Sequence, residues 1–151
     1  MRDLFSLSLP AVVFLALSLV AAQSAAAALV YGDFSDVQFL YCYDGDTCTF
    51  SIPGVHPLIG ERISVRIKGI DTPEIKGKCI QEKLRAKAVR DLVNQLLRRA
   101  NRIDLIAVSR EKYFRILASV VADGQDISST LINNGLAVGY LGGTKIKNWC
   151  E

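Results

Sequence analysis

From Glu82 to Ala100 the chain places Ala88, Val89, Leu92, Val93, Leu96, Leu97 and Ala100 at helical spacing. Lys83, Arg85, Lys87, Arg90, Arg98 and Arg99 fall mostly on the other positions, so the stretch is one amphipathic helix. This helix sits among runs that alternate as strands do, and that placement constrains the fold most. Before it, "VQFLYCY" and "TCTFSI" flank "DGD", the composition of a hairpin turn. "PGVHPLIGE" reads as loop, and "RISVRIKGI" alternates Ile63, Val65 and Ile67 with Arg62, Ser64, Arg66 and Lys68. Arg66 is therefore expected on the polar face of a strand. After the helix, "RIDLIAVS" and "YFRILASVVAD" read as strands, and "ISSTLINNG" as a short helix that Gly135 terminates.

Strands, a long helix, more strands and a short helix describe a small closed sheet with helices packed on it, an α+β fold. A five-stranded OB-like barrel with one long and one short helix fits that order. With 151 residues, half of them hydrophobic, and a net charge of +3, the chain is expected to form one compact domain rather than two. Residues 1–28 stand apart from it. Leu4 to Ala22 is an almost unbroken apolar run after Arg2, followed by the small residues of "AAQSAAAA", the pattern of an export signal. Cleavage is expected between residues 24 and 28, leaving 29–151 as a secreted or periplasmic domain, with a retained anchor as the alternative.

Cys42, Cys48, Cys79 and Cys150 make an even set in an exported chain, which argues for two disulfides. Three pairings are possible. A hairpin turning at Gly45 sets Cys42 opposite Cys48 and leaves Cys79 to join Cys150, the pairing favoured here. A zinc site is the rival use, but no CxxC occurs and His56 is the only histidine.

The densest chemistry lies in "VRIKGIDTPEIKGKC". One reading makes Asp71 a helix N-cap and Glu74 its capping-box acid. Against it, "IKGKC" contains Gly77 and lacks amphipathic spacing, so no helix obviously starts there. Asp44 and Asp46 are turn residues on the plain reading, yet a strand starting at Asp46 beside one ending at Asp71 brings two carboxylates together. Two carboxylates and a backbone carbonyl suit calcium, with water completing the shell. An EF-hand loop is excluded, because the twelfth position from Asp44 is Val55.

"YDGDT", "VRIKGIDTPE", and "KYFRILA" followed by "ADGQDISSTLINNGLA" together resemble the staphylococcal nuclease family, in order and over roughly Val37 to Tyr140. The resemblance implies an OB barrel with helices and a calcium-dependent nuclease. It makes Asp46 and Asp71, with the carbonyl of Thr72, the calcium ligands. Glu74 becomes the group acting on the attacking water, and Arg66 and Arg115 the arginines that hold the scissile phosphate. Tyr113 and Tyr140 then fall near the nucleotide. Lys112, Lys76 and Lys78 flank the motif as an electrostatic track for a strand. The residue types suit the chemistry: guanidiniums match phosphate oxygens and stay charged, and an ionised carboxylate takes a proton from water.

Phe114 departs from the family pattern, which has glycine between the tyrosine and the arginine. Because the sequence ends at Glu151, before the family's long C-terminal helix, Trp149 and a Cys79–Cys150 bond are expected to take over its fastening role. Three function classes follow. The first is a monomeric exported nuclease acting on single-stranded or flexible DNA and RNA. The others are a catalytically silent nucleic-acid-binding module and an envelope interaction domain whose acids are only turns and caps.

Overall fold

The structure, a computed structural model, describes residues 29–110 and 115–151. The expected export signal over residues 1–28 lies outside the described residues, as do Lys112, Tyr113 and Phe114. Among the described residues no helix is long and apolar enough to cross a membrane.

The strands are β1 (Val30–Phe34), β2 (Gln38–Cys42), β3 (Thr47–Ser51), β4 (Ile63–Ile67), β5 (Ile70–Asp71), β6 (Ile103–Arg110), β7 (Ile116–Ala122), β8 (Gln125–Asp126) and β9 (Val138–Gly139). The helices are α1 (Pro57–Gly60), α2 (Ile80–Arg99) and α3 (Ile127–Asn133). A seven-stranded sheet runs in the order β1-β6-β7-β4-β3-β2, with β8 paired to β7, and β5 pairs with β9 as a separate ribbon. The β4–β7 pair is parallel and the other pairs are antiparallel.

The α+β mixture matches the expectation, whereas the closed five-stranded barrel does not appear. The sheet is open, with β1 and β2 at its two ends. Strand β1 was not expected: Val30–Phe34 lacks a clean alternation and is largely exposed, yet it pairs along β6. The expected loop "PGVHPLIGE" also contains α1, whose N-cap is His56; its Nδ1 accepts from the Leu58 N–H at 3.2 Å.

Helix α2 lies within two residues of its expected bounds and buries Ala86, Val89, Val93 and Leu97 against the sheet core of Phe50, Val65, Ile67, Leu105 and Val120. Ala88, expected on the apolar stripe, is exposed. Gly135 ends α3 with φ +67, and the Gly135 and Leu136 N–H groups close back on Ile132 and Leu131 carbonyls. Both favoured disulfides are present: Cys42–Cys48 lies across the paired β2 and β3, and Cys79–Cys150 ties the start of α2 to the chain's last residues.

Candidate active site

The site forms where the β2–β3 turn, strand β4 and the exit of β5 meet. Thr47 is paired with Arg66 across β3 and β4, so Asp46, one residue earlier, lies beside the arginine. Arg66 Nη1 donates to Asp46 Oδ1 at 2.5 Å, and Nη2 donates to the Ile70 carbonyl at 3.2 Å and stands 4.0 Å from Asp71 Oδ1. The Thr47 hydroxyl and the Thr72 N–H also donate to Asp46, which is 1% exposed. The expected meeting of Asp46 with Asp71 therefore occurs around a shared guanidinium. Arg66 does lie on the face opposite Val65 and Ile67, but it is buried rather than solvated, because the two aspartates roof that face.

Gly45 is required by this turn. A Cβ there would come within 2.6 Å of Val89 and 3.0 Å of Thr72, so the turn can close onto α2 only without a side chain. Asp44, in the same turn, is 5% exposed and accepts from the Asp46 N–H. Burial, and then repulsion from Asp46 and Glu74, pushes its pKa up from 3.8 to about 7.

The "DTPE" segment does not start a helix. The N-cap is Cys79 and the acid three residues on, Glu82, turns back to accept from the Lys78 N–H at 2.8 Å and the Glu74 N–H at 3.3 Å. Gly77 leaves the room for it: a Cβ there would fall 2.3 Å from the Glu82 carboxyl carbon. Buried Glu82 thus fixes the backbone at Glu74. Sequence reading missed this role, although C-x-x-E ahead of an apolar stripe was its signal.

The chain's last residues complete the site. Trp149 Nε1 donates to Asp71 Oδ2 at 3.2 Å, and Arg85 holds the Trp149 and Glu151 carbonyls. Lys145 reaches Asp71 Oδ1 at 2.6 Å and makes an ion pair with Glu74 Oε1. The Asp71 contact lies outside hydrogen-bonding angles, so Oδ1 stays without a well-formed hydrogen bond and the contact is electrostatic. Partial desolvation of Lys145 works against its charge, but its close contacts with the carboxylates of Asp71 and Glu74 outweigh it and raise its pKa. Nothing in the residue spacing marked Lys145, because it lies far along an irregular segment. Asp71, Glu74, Glu82, Lys76, Lys78 and Lys145 border one cleft of about 760 Å³.

Of the other predicted residues, Tyr140 stacks its ring under the Arg66 guanidinium at 5.8 Å, brought there by the β5–β9 pairing. Arg115 is half-buried just before β7. Lys112 and Tyr113 lie outside the described residues. Thr72 is buried, with its hydroxyl oxygen unpartnered.

A family model described as staphylococcal nuclease homologue matches residues 64–148, more than half of the chain. The chain belongs to the staphylococcal nuclease homologue family. No curated protein matches it. The family match covers Arg66, Asp71, Thr72, Glu74, Arg115, Tyr140 and Lys145. Asp44 and Asp46 precede the match, and Asp46 joins the matched residues through Arg66 and Thr72. Family membership points to nuclease-like or nucleic-acid-binding chemistry.

Proposed function

We propose that the chain is an exported, calcium-dependent nuclease that hydrolyses phosphodiester bonds in single-stranded or flexible DNA and RNA. The observation that carries the reading is the gathering of Asp46 and Asp71 around Arg66, with Glu74 joined to Asp71 through Lys145, in a chain of this family.

The residues fit a hard cation. Asp71 Oδ1 and Thr72 Oγ1 are buried oxygens without a well-formed hydrogen bond, and Asp44 is pushed toward protonation by its burial and then by its carboxylate neighbours. Among the described residues the only three such ligand atoms within 4.8 Å of one another belong to Cys79, Glu82 and Cys150, two of them joined as a disulfide. The acids are therefore too spread for a three-carboxylate cage, which agrees with Asp46, Asp71 and the Thr72 carbonyl as ligands and water for the rest. A bound calcium ion would supply positive charge against a phosphate oxygen.

The chain's own groups do the remainder. Glu74, at the cleft mouth with its side chain 42% exposed, accepts a proton from the attacking water. Arg66 and Arg115 hold the phosphate and oppose the charge that grows on it. Tyr140 and Tyr113 offer faces for bases, and Lys112 steers the strand.

One observation favours a second reading, a silent nucleic-acid-binding module: Arg66 is engaged by Asp46 and the Ile70 carbonyl rather than turned to the cleft. Neutral isosteres separate the two. On the nuclease reading, Asp46→Asn weakens calcium binding first, and Glu74→Gln lowers turnover while leaving calcium and nucleotide binding in place. Arg66→Lys falls between them, losing the planar fork but keeping charge. Undiminished turnover in Glu74→Gln removes Glu74 from the reaction, and a strand bound but never cut by the parent chain establishes the silent module.

A further inference from the structure

Lys145 is the one cation that approaches both Asp71 and Glu74 in the described site. It belongs to the irregular stretch between β9 and the C-terminus, and this stretch is fastened on both sides of it. On one side the Tyr140 N–H donates to the Gly69 carbonyl and its hydroxyl to the Gly143 carbonyl. On the other, Trp149 bonds Asp71, Arg85 holds two carbonyls and Cys150 is bonded to Cys79. The ammonium is thus tethered at the cleft with a high effective concentration.

Asp71 is 3% exposed, and its Oδ1 meets only electrostatic contacts, from Lys145 and more distantly from Arg66. Glu74 is half-exposed and has Lys145 as its cationic partner. Lys145 lies against both Asp71 and Glu74, whose like charges repel one another, so a cation between them is favoured. Lysine suits that place in one respect that arginine does not: a compact ammonium on a flexible stem can enter and leave it.

We propose that Lys145 is a built-in counter-cation that sets the calcium threshold of the site, neutralising Asp71 and Glu74 until a divalent cation displaces it. The inference rests on the cation-site reading above. Only the fraction of molecules in which Lys145 has swung away can take up calcium at Asp71, so apparent affinity falls by that fraction. A lysine in place about nine-tenths of the time weakens binding roughly tenfold. Lys145 is itself partly exposed, its side chain keeping 39% of its surface, so its departure leaves no buried void.

Calcium is titrated into the oxidised, full-length chain by calorimetry, with the fluorescence of Trp149, the chain's only tryptophan, as a second signal at Asp71. Lys145→Met is expected to bind calcium about five- to tenfold more tightly than the parent and, without calcium, to melt at a lower temperature in low salt. Lys145→Arg is expected to bind calcium no more tightly than the parent, because the charge is kept and a planar fork leaves the carboxylates less readily. Unchanged or weaker calcium binding in Lys145→Met, with the parent binding normally, overturns the role of Lys145 alone. A parent that binds no calcium at all overturns the cation-site reading and this inference with it.

Discussion

Asp46 and Glu74 belong to one cluster of acids but are neutralised in different ways. Asp46 is almost fully enclosed, and its donors, Arg66, the Thr47 hydroxyl and the Thr72 N–H, all come from strands or their immediate exits. Glu74 sits at the mouth of the cleft, and its cation arrives from an irregular tail held by a disulfide and an indole. A buried pair in a rigid frame is costly to break, because either partner left alone keeps an unsolvated charge. An exposed pair on a tail can exchange partners at little cost. The inner end of the site is thus built as architecture and the outer end as something that can open.

The comparison breaks most visibly at its inner end. Arg66→Ala leaves Asp46 buried without its cation and is expected to cost about 3 to 5 kcal/mol in urea unfolding, besides abolishing phosphate chemistry. A cost below about 1 kcal/mol would mean that water already reaches Asp46. At the outer end, replacing Cys79 and Cys150 together by serine opens a loop with a sequence separation of 71. That is expected to cost about 2 to 4 kcal/mol, with Trp149 emission shifting to the red as the tail loosens. An unshifted spectrum would show that the indole holds the tail unaided.

A narrower change is Trp149→Phe, which keeps an aromatic ring but removes the N–H donated to Asp71 Oδ2 together with part of the buried indole. A loss of about 1 to 2 kcal/mol is expected, together with calcium affinity lowered a few-fold as Asp71 loses its orientation. Calcium affinity equal to the parent's would make Trp149 a fastening and nothing more.

The smallest change concerns Asp44. Its folded-state pKa of about 7 lies above the ordinary 3.8, so the folded chain holds a proton there that the unfolded chain has released. Stability from Asp44 is therefore fully present below the ordinary value and is lost as pH rises through about 7. Between about pH 6 and pH 8 this amounts to roughly 1 kcal/mol in the chelated protein. Asp44→Asn should flatten that slope when thermal melts are compared at the two pH values, and an unaltered slope would place the titration on another group.

Sequence reading succeeded where the signal was local. The alternation of Ile63 to Lys68 placed Arg66 opposite the core, the stripe of α2 was visible in its apolar spacing, and the Asp-Gly-Asp turn set Cys42 across from Cys48. It failed where pairing or tethering decides. Strand β1 is ordered by its pairing with β6 rather than marked by its own pattern. The Cys79–Cys150 bond and Trp149 were expected as fastenings of the tail, but the approach of Lys145 to the acids, which that fastening brings about, is recorded by no spacing near Asp71. Periodicity put Arg66 on the polar face of its strand, and only the packing of Asp46 and Asp71 against it shows that this face is buried.

The most direct measurement is cleavage of a single-stranded DNA oligonucleotide by the purified, oxidised chain, first in excess chelator and then with calcium returned, alongside Glu74→Gln. Cutting in calcium, none in chelator, and a Glu74→Gln chain that binds the strand but cuts it far more slowly are the results the account predicts. Cutting that is indifferent to chelation, or a strand bound and left intact in both conditions, would contradict it.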